Sequence, residues 1–176
     1  MEYFLSIIDL SINYIMDFKE VKYLGKRNPA FDYFQTKGKY RTIFNGFICH
    51  ICRIIPSMRI KNKLYRMIGV KIGKNVVIAA YVELDPYFPE LITIEDNVII
   101  GVGTIILAHE YSQDKVRIGK VHLKERSLIG AGSLIRSGVT VGERAVVAAK
   151  SYVNKDVKNN STVGGVPAKI IKDKND

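Results

Sequence analysis

Acidic residues are absent from one long stretch of this chain. Between Asp32 and Glu83 there is none, while ten Lys and Arg occur. Residues 1–74 carry 14 Lys and Arg against 5 Asp and Glu, and residues 75–176 carry 13 against 12. Nearly all of the net charge of +10 therefore lies in the N-terminal part. A block this one-sided is either a solvated face or a surface that meets an anion. Long apolar runs are also missing. None approaches 18 residues, which speaks against a membrane-spanning helix. The start, MEYFLSIIDLSINY, carries acids among its apolar residues and lacks a basic leader and cleavage site. No secretory leader is expected, and the expected location is cytoplasmic. Cysteine is scarce too. Cys49 and Cys52, in CHIC, have no second ligand pair to complete a zinc site, and nothing demands an oxidising compartment. No metal site is expected.

What the chain has in abundance is a six-residue period from Ile72 to Val153. The leading positions are Ile72, Ile78, Leu84; Ile94, Ile100, Ile106; Leu123, Ile129, Ile135; and Val141, Val147, Val153. All twelve are Ile, Leu or Val, and ten of the twelve residues four places further on are Val, Thr, Ser or Ala. Such a period fits neither a 3.6-residue helix nor a two-residue alternation, so it is a repeat of short strand plus turn. Three units make one triangular coil, and stacked coils bury a continuous column of aliphatic side chains. The fold class is mainly β: a parallel β-helix of about four coils over 69–158, an N-terminal helical and basic region over 1–68, and a tail over 159–176.

Within the first region, Tyr3, Phe4, Ile7, Ile8, Ile12 and Ile15 have helical spacing, and residues 18–42 read as loop and short helix. Phe44, Phe47, Ile48, Ile51, Ile55 and Met58 predict a helix from Thr42 to Met58 that Pro56 ends or bends. A second short helix is expected from about Lys61 to Met67. Lys37, Lys39, Arg41, Arg53, Arg59, Lys61, Lys63 and Arg66 flank these helices. Two readings stay open: docking on an anionic membrane surface, at the inner face of the membrane, or a cap over the open end of the solenoid with bases that only face water.

The repeat leaves register twice, with one insertion after Leu84, over 85–91, and the other after Tyr111, through roughly His122. Leu84, Ile106 and Ile135 each open the third face of a coil, so both departures leave along the same corner, which marks a pocket wall. Of the three histidines, His50 lies in a helix and His122 among charged residues, whereas His109 lies at that corner. There it suits a general base near neutral pH, and the adjacent Glu110 either orients it or points away. Ala131 and Ala149 are 18 residues apart, one whole coil. They form a column of small residues on the second face that could take the extended, amide-bearing arm of coenzyme A.

The stretches IGKNVVI, ITIEDNVIIGVGTIILAHEYS, LIGAGSLIRSGVTVGERAVVAAKSYVNKDV and GGVPAKII resemble the hexapeptide-repeat acyltransferases, over about 100 of the 176 residues. ILAHEYS is most similar to the sugar and galactoside O-acetyltransferase branch. This resemblance implies a left-handed winding, which is exceptional among β-connections. It also implies a homotrimer, with acetyl-CoA held between two subunits. It further implies His109 as catalytic base, and Ala131 and Ala149 along the pantetheine arm with Asn154 and Lys155 further on. Lys169 and Lys172 would lie near the 3′-phosphate, and Asp85 would lie on the acceptor side. Two departures are present: Leu123-Lys124-Glu125 lacks the usual Gly, and VVAAK stands in place of a Gly-Ala-Gly. The expected activity is acetyl-CoA-dependent O-acetylation of a sugar hydroxyl in surface polysaccharide or glycan biosynthesis, with no nucleic-acid partner. The alternatives are an amino-sugar N-acetyltransferase and a catalytically silent β-helix scaffold.

Overall fold

The computed structural model describes residues 18–22, 38–113 and 115–173. The expected helix over 2–17 lies outside them. Three faces form the body. The first stacks β2 (Lys71–Ile72), β5 (Ile92–Ile94), β10 (Val121–Leu123) and β13 (Thr140–Val141). The second stacks β3 (Val77–Ile78), β6 (Ile99–Ile100), β11 (Leu128–Ile129), β14 (Val146–Val147) and β16 (Ser161–Gly164). The third stacks β4 (Glu83–Leu84), β7 (Ile105–Ile106), β12 (Leu134–Ile135) and β15 (Tyr152–Val153). All these pairings are parallel, and the leading aliphatics meet in register: Ile72↔Ile94↔Leu123↔Val141, Ile78↔Ile100↔Ile129↔Val147 and Leu84↔Ile106↔Ile135↔Val153. The sequence period is this stack.

Ile72 is half-buried and the other eleven leading residues are at most 1% exposed. Each contributes about 1.5–3 kcal/mol of burial, so the inner column is the dominant source of stability. Eleven of the residues four places on are also buried, and Glu110 alone is not. The corners take left-handed backbone; Asn75, Asn97, Gly103 and Gly132 adopt it at low cost, and Tyr81, Arg126, Arg144 and Lys150 adopt it at the equivalent turns.

The helices are α1 (Lys39–Ile54) and α2 (Met58–Met67). The first stops short of the expected Met58 because Pro56 drives the residue before it out of the helical region, and Ile55 is extended at φ −63°, ψ 123°. The second starts three residues earlier than expected and covers the end of the prism. In the coil above, the carbonyls of Ile94, Val98, Ile100 and Thr104 accept the amides of Gly73, Val77, Ala79 and Glu83. The equivalent carbonyls of the first coil, at Ile72, Val76, Ile78 and Val82, have no coil below them among the described residues. One face of α2 supplies the donors instead. Arg66 Nε donates to Ile72 O (3.0 Å), Asn62 Nδ2 to Val76 O (2.9 Å), Lys61 Nζ to Ile78 O (2.9 Å) and Tyr65 Oη to Val82 O (3.3 Å). Four side chains at i, i+1, i+4 and i+5 replace a rung of main chain, as buried carbonyls require.

This corrects the expectation for Lys61. It is wholly buried, with a second bond to Ala79 O at 2.9 Å, and cannot face a membrane. Burial pushes its ammonium below the ordinary lysine value. Cys49 and Cys52 lie on the inner side of α1, and burial pushes their thiols up to about 12 and about 11, so they are packed thiols rather than nucleophiles. A second correction concerns residues 18–42, read as loop and short helix. Here β1 (Phe18–Lys22) pairs antiparallel with β9 (Lys115–Gly119), which pairs with β8 (His109–Tyr111). The tail strand β17 (Lys169–Asp173) folds back antiparallel on β16.

Candidate active site

Both insertions spring from the third face, on adjacent coils, because Leu84 pairs with Ile106. Asp85 opens the lower insertion and His109 lies in the upper one. The Asp85 carboxylate is wholly buried and both oxygens are occupied. Oδ1 accepts the amides of Tyr87 (2.9 Å) and Phe88 (3.1 Å), while Oδ2 accepts those of Ala108 (2.8 Å) and His109 (2.9 Å). Oδ2 also lies 2.5 Å from His109 Nδ1. A carboxylate fed by four amides can only accept, so Nδ1 carries the ring proton and Nε2 is left as the basic nitrogen. The same contacts fix the backbone that bears the ring. Tyr87, Phe88 and Tyr111 surround the imidazole, at ring-centroid distances of 4.7, 5.6 and 5.1 Å. The His109 side chain keeps 12% of its surface exposed.

Asp85, expected on the acceptor side, is thereby corrected: its oxygens hold His109 and four amides and have nothing left to offer an acceptor. Glu110, next along the strand, points to the other side. Both its oxygens face Arg136 Nε, at 3.0 and 2.9 Å, and Ser137 Oγ donates to it at 2.6 Å. It therefore does not orient the imidazole. That ion pair raises Arg136 above its ordinary value, and with Glu20, Tyr111, Ser112, Lys115 and Arg117 it lines a cavity of about 210 Å³. Of the other histidines, His122 sits on the first face against Glu95 Oε1 at 2.6 Å, and His50 is an exposed helix residue.

Ala131 and Ala149 are exposed and stack through the register Ile129↔Val147, in the turn after the second face rather than on it. Glycine is required beneath each of them: a Cβ on Gly101 would stand 2.6 Å from the Ala131 amide nitrogen, and one on Gly130 would collide with that of Ala149. The β17 strand places exposed Lys169 opposite Gly164, near the top of the same column, and Lys172 opposite Thr162. Asn154 and Lys155 follow Val153 and belong to the His109 corner instead. The chain thus presents two separate corners, the histidine corner and the small-residue corner, with the third face between them. The sequence reading missed the aromatic surround. Its trace was the insertion Asp85-Pro-Tyr-Phe, where two rings follow the carboxylate within three residues.

Six-residue rungs interrupted by a carboxylate-held histidine define a hexapeptide-repeat β-helix with the Asp85–His109 pair at one corner. Residues 116–155 match the model of the hexapeptide repeat of succinyl-transferase. YvoF of Bacillus subtilis (strain 168), which carries the name of an acetyltransferase, is 41% identical over 145 residues, covering 82% of this chain and 84% of the relative. The hexapeptide-repeat acetyltransferase VCA0836 of Vibrio cholerae, solved with acetyl coenzyme A, superposes with a TM-score of 0.65 at 26% identity, covering 76% and 86%. Galactoside O-acetyltransferase of Escherichia coli (strain K12) is 32% identical over 92 residues, covering 48% and 45%. The chain belongs to the hexapeptide-repeat acetyltransferases, and it is an acyltransferase whose neighbours imply a left-handed β-helix.

Proposed function

We propose that the protein transfers an acetyl group from acetyl-CoA to a sugar hydroxyl, with His109 as general base, in the building of a surface polysaccharide or other glycan. The observation that carries this reading is the Asp85–His109 pair. Asp85 fixes the tautomer with Nε2 free and stabilises the imidazolium that forms when the ring takes a proton. His109 takes the hydroxyl proton as the oxygen attacks the thioester carbonyl. The new C–O bond forms, the C–S bond breaks, and the same proton passes to the departing sulfur. No covalent intermediate on the protein is needed, and the buried, protonated thiols of Cys49 and Cys52 are unsuited to forming one.

The donor half of the proposal rests on VCA0836, solved with acetyl coenzyme A, and on the exposed small-residue corner topped by Lys169. Ala131 and Ala149 would flank the pantetheine arm, and Lys169 and Lys172 would meet phosphate. The acceptor half rests on the galactoside O-acetyltransferase likeness. The two half-sites lie on different corners of one chain, so a complete site needs a second copy, which supports a homotrimer with sites between subunits.

The test is acetyl-CoA consumption against a panel of free glycosides, nucleotide sugars, lipid-linked sugars and amino sugars, with the product bond identified by mass and alkali lability. An alkali-labile ester on a sugar is expected. An amide formed only on amino sugars would establish N-acetylation instead. No thiol release with any acceptor would leave a silent scaffold.

A further inference from the structure

The helix α1 has two apolar sides, and only one is used by the described residues. Ile48, Cys49 and Cys52 pack inward against the prism. On the opposite side, Tyr40, Ile43, Phe47, Ile51 and Ile54 follow one another at steps of three and four, with Phe44 beside Ile43, the spacing of a continuous helical stripe. Tyr40, Phe47 and Ile54 are 87%, 61% and 66% exposed. On α2, Ile60 and Met67 are also exposed. Lys39, Arg41, Arg59 and Lys63 are exposed around these residues, and no acid lies between Gly38 and Val82 to balance them. The capping role does not explain them, because the bonds to the first coil use Lys61, Asn62, Tyr65 and Arg66.

We propose that this outer face of the α1–α2 cap docks on an anionic membrane surface. An aromatic and aliphatic stripe rimmed by bases and devoid of acids is the composition of a helix that lies in the lipid interface. The charge complements phospholipid headgroups of negative sign. No helix among the described residues is long and apolar enough to cross a membrane, so the contact is peripheral. A threefold axis cannot reverse direction along itself. In the trimer proposed above, the three caps therefore share one side, and simultaneous contacts reinforce one another. The inference itself rests on the cap and not on acetyl transfer.

Co-sedimentation of the full chain with phosphatidylcholine vesicles, with and without phosphatidylglycerol, tests it. Binding is expected only to the phosphatidylglycerol vesicles at low salt, and it should be lost as salt rises. Phe44→Ser/Phe47→Ser and, separately, Arg59→Glu/Lys63→Glu should each cut the partition coefficient by roughly tenfold or more. Turnover on a soluble acceptor should be retained in both. The proposal is overturned by absence of binding to anionic vesicles at low salt. Binding that survives both pairs of substitutions overturns it too, since the contact then lies elsewhere. A change in the oligomeric state of Phe44→Ser/Phe47→Ser also overturns it, since a second copy then covers the face.

Discussion

Lys61 at the capped end of the prism and Asp85 at the histidine corner are the two charged side chains in the buried set among the described residues. Both sit where the repeat stops repeating, and both are surrounded by main chain. Lys61 donates to the carbonyls of Ile78 and Ala79, and Asp85 accepts four amides. What separates them is one further partner. Asp85 also holds a ring that reaches solvent, whereas the hydrogen bonds of the Lys61 ammonium end on main-chain carbonyls. Burial and saturation alone identify a strut. A strut that fixes a titratable, accessible group identifies a site.

The largest expected effect breaks the comparison at its exposed end. His109→Ala should lower turnover by roughly a hundredfold or more, the usual range for loss of a general base, with the melting temperature little changed. A purified variant with near-wild-type turnover would remove the base assignment. The next tests the strut behind it. Asp85→Asn replaces a charge-assisted bond of about 1.5–3 kcal/mol, a factor of roughly ten to a hundred in rate. Because the carboxylate also pins two insertions, stability should fall with it. A pH–rate profile separates the roles: a positioning and charge-stabilising carboxylate moves the His109 limb, and a purely structural one leaves the limb in place.

Lys61→Met should give the converse result. Two buried carbonyls lose their donor, at about 1–3 kcal/mol each, partly offset because the cost of burying an ammonium disappears. A loss of about 2–4 kcal/mol by urea titration is expected, with turnover per folded molecule unchanged. Reduced turnover in the folded fraction would show that the cap is coupled to the corner and erase the distinction drawn above.

Sequence alone showed the prism and the corner because both are written as spacing. Twelve aliphatics at six-residue steps have one way to be buried together, and two breaks after stacked residues must open at one edge. The place of His109 at that corner was legible for that reason. Asp85 was not, because its bond spans 24 residues and depends on where two insertions place backbone amides. Nor was Lys61, which looks like its basic neighbours until the open carbonyls of the first coil are in view. Its trace is the run of donors at 61, 62, 65 and 66, four hydrogen-bonding side chains on one helical face with no acid among them. The pairing of β1 with β9 was invisible for a similar reason, since its partner lies about a hundred residues on, in an insertion outside the repeat.

The smallest expected effect uses the titration of the cap itself. Burial pushes Cys49 up to about 12 and Cys52 up to about 11, and raises Tyr65 as well. An unfolded thiol ionises near 9.0, so the unfolded chain sheds these protons first. The folded-state values are raised, so the stability from these groups is intact below about pH 9 and declines as pH rises toward the folded values. Lys61 works the other way: its folded value is lowered, so its own contribution rises with pH until the unfolded lysine titrates near 10.5. Three raised groups against one lowered group leave a net decline, on the order of 1 kcal/mol per thiol one unit above its unfolded value. Melting temperatures of the native chain and of Cys49→Ala/Cys52→Ala, followed from about pH 8 to about pH 10, should converge as pH rises, because the variant has two fewer protons to lose. Parallel curves would mean that the two thiols ionise alike in folded and unfolded chains, and that the inner side of α1 is wetter than its packing implies.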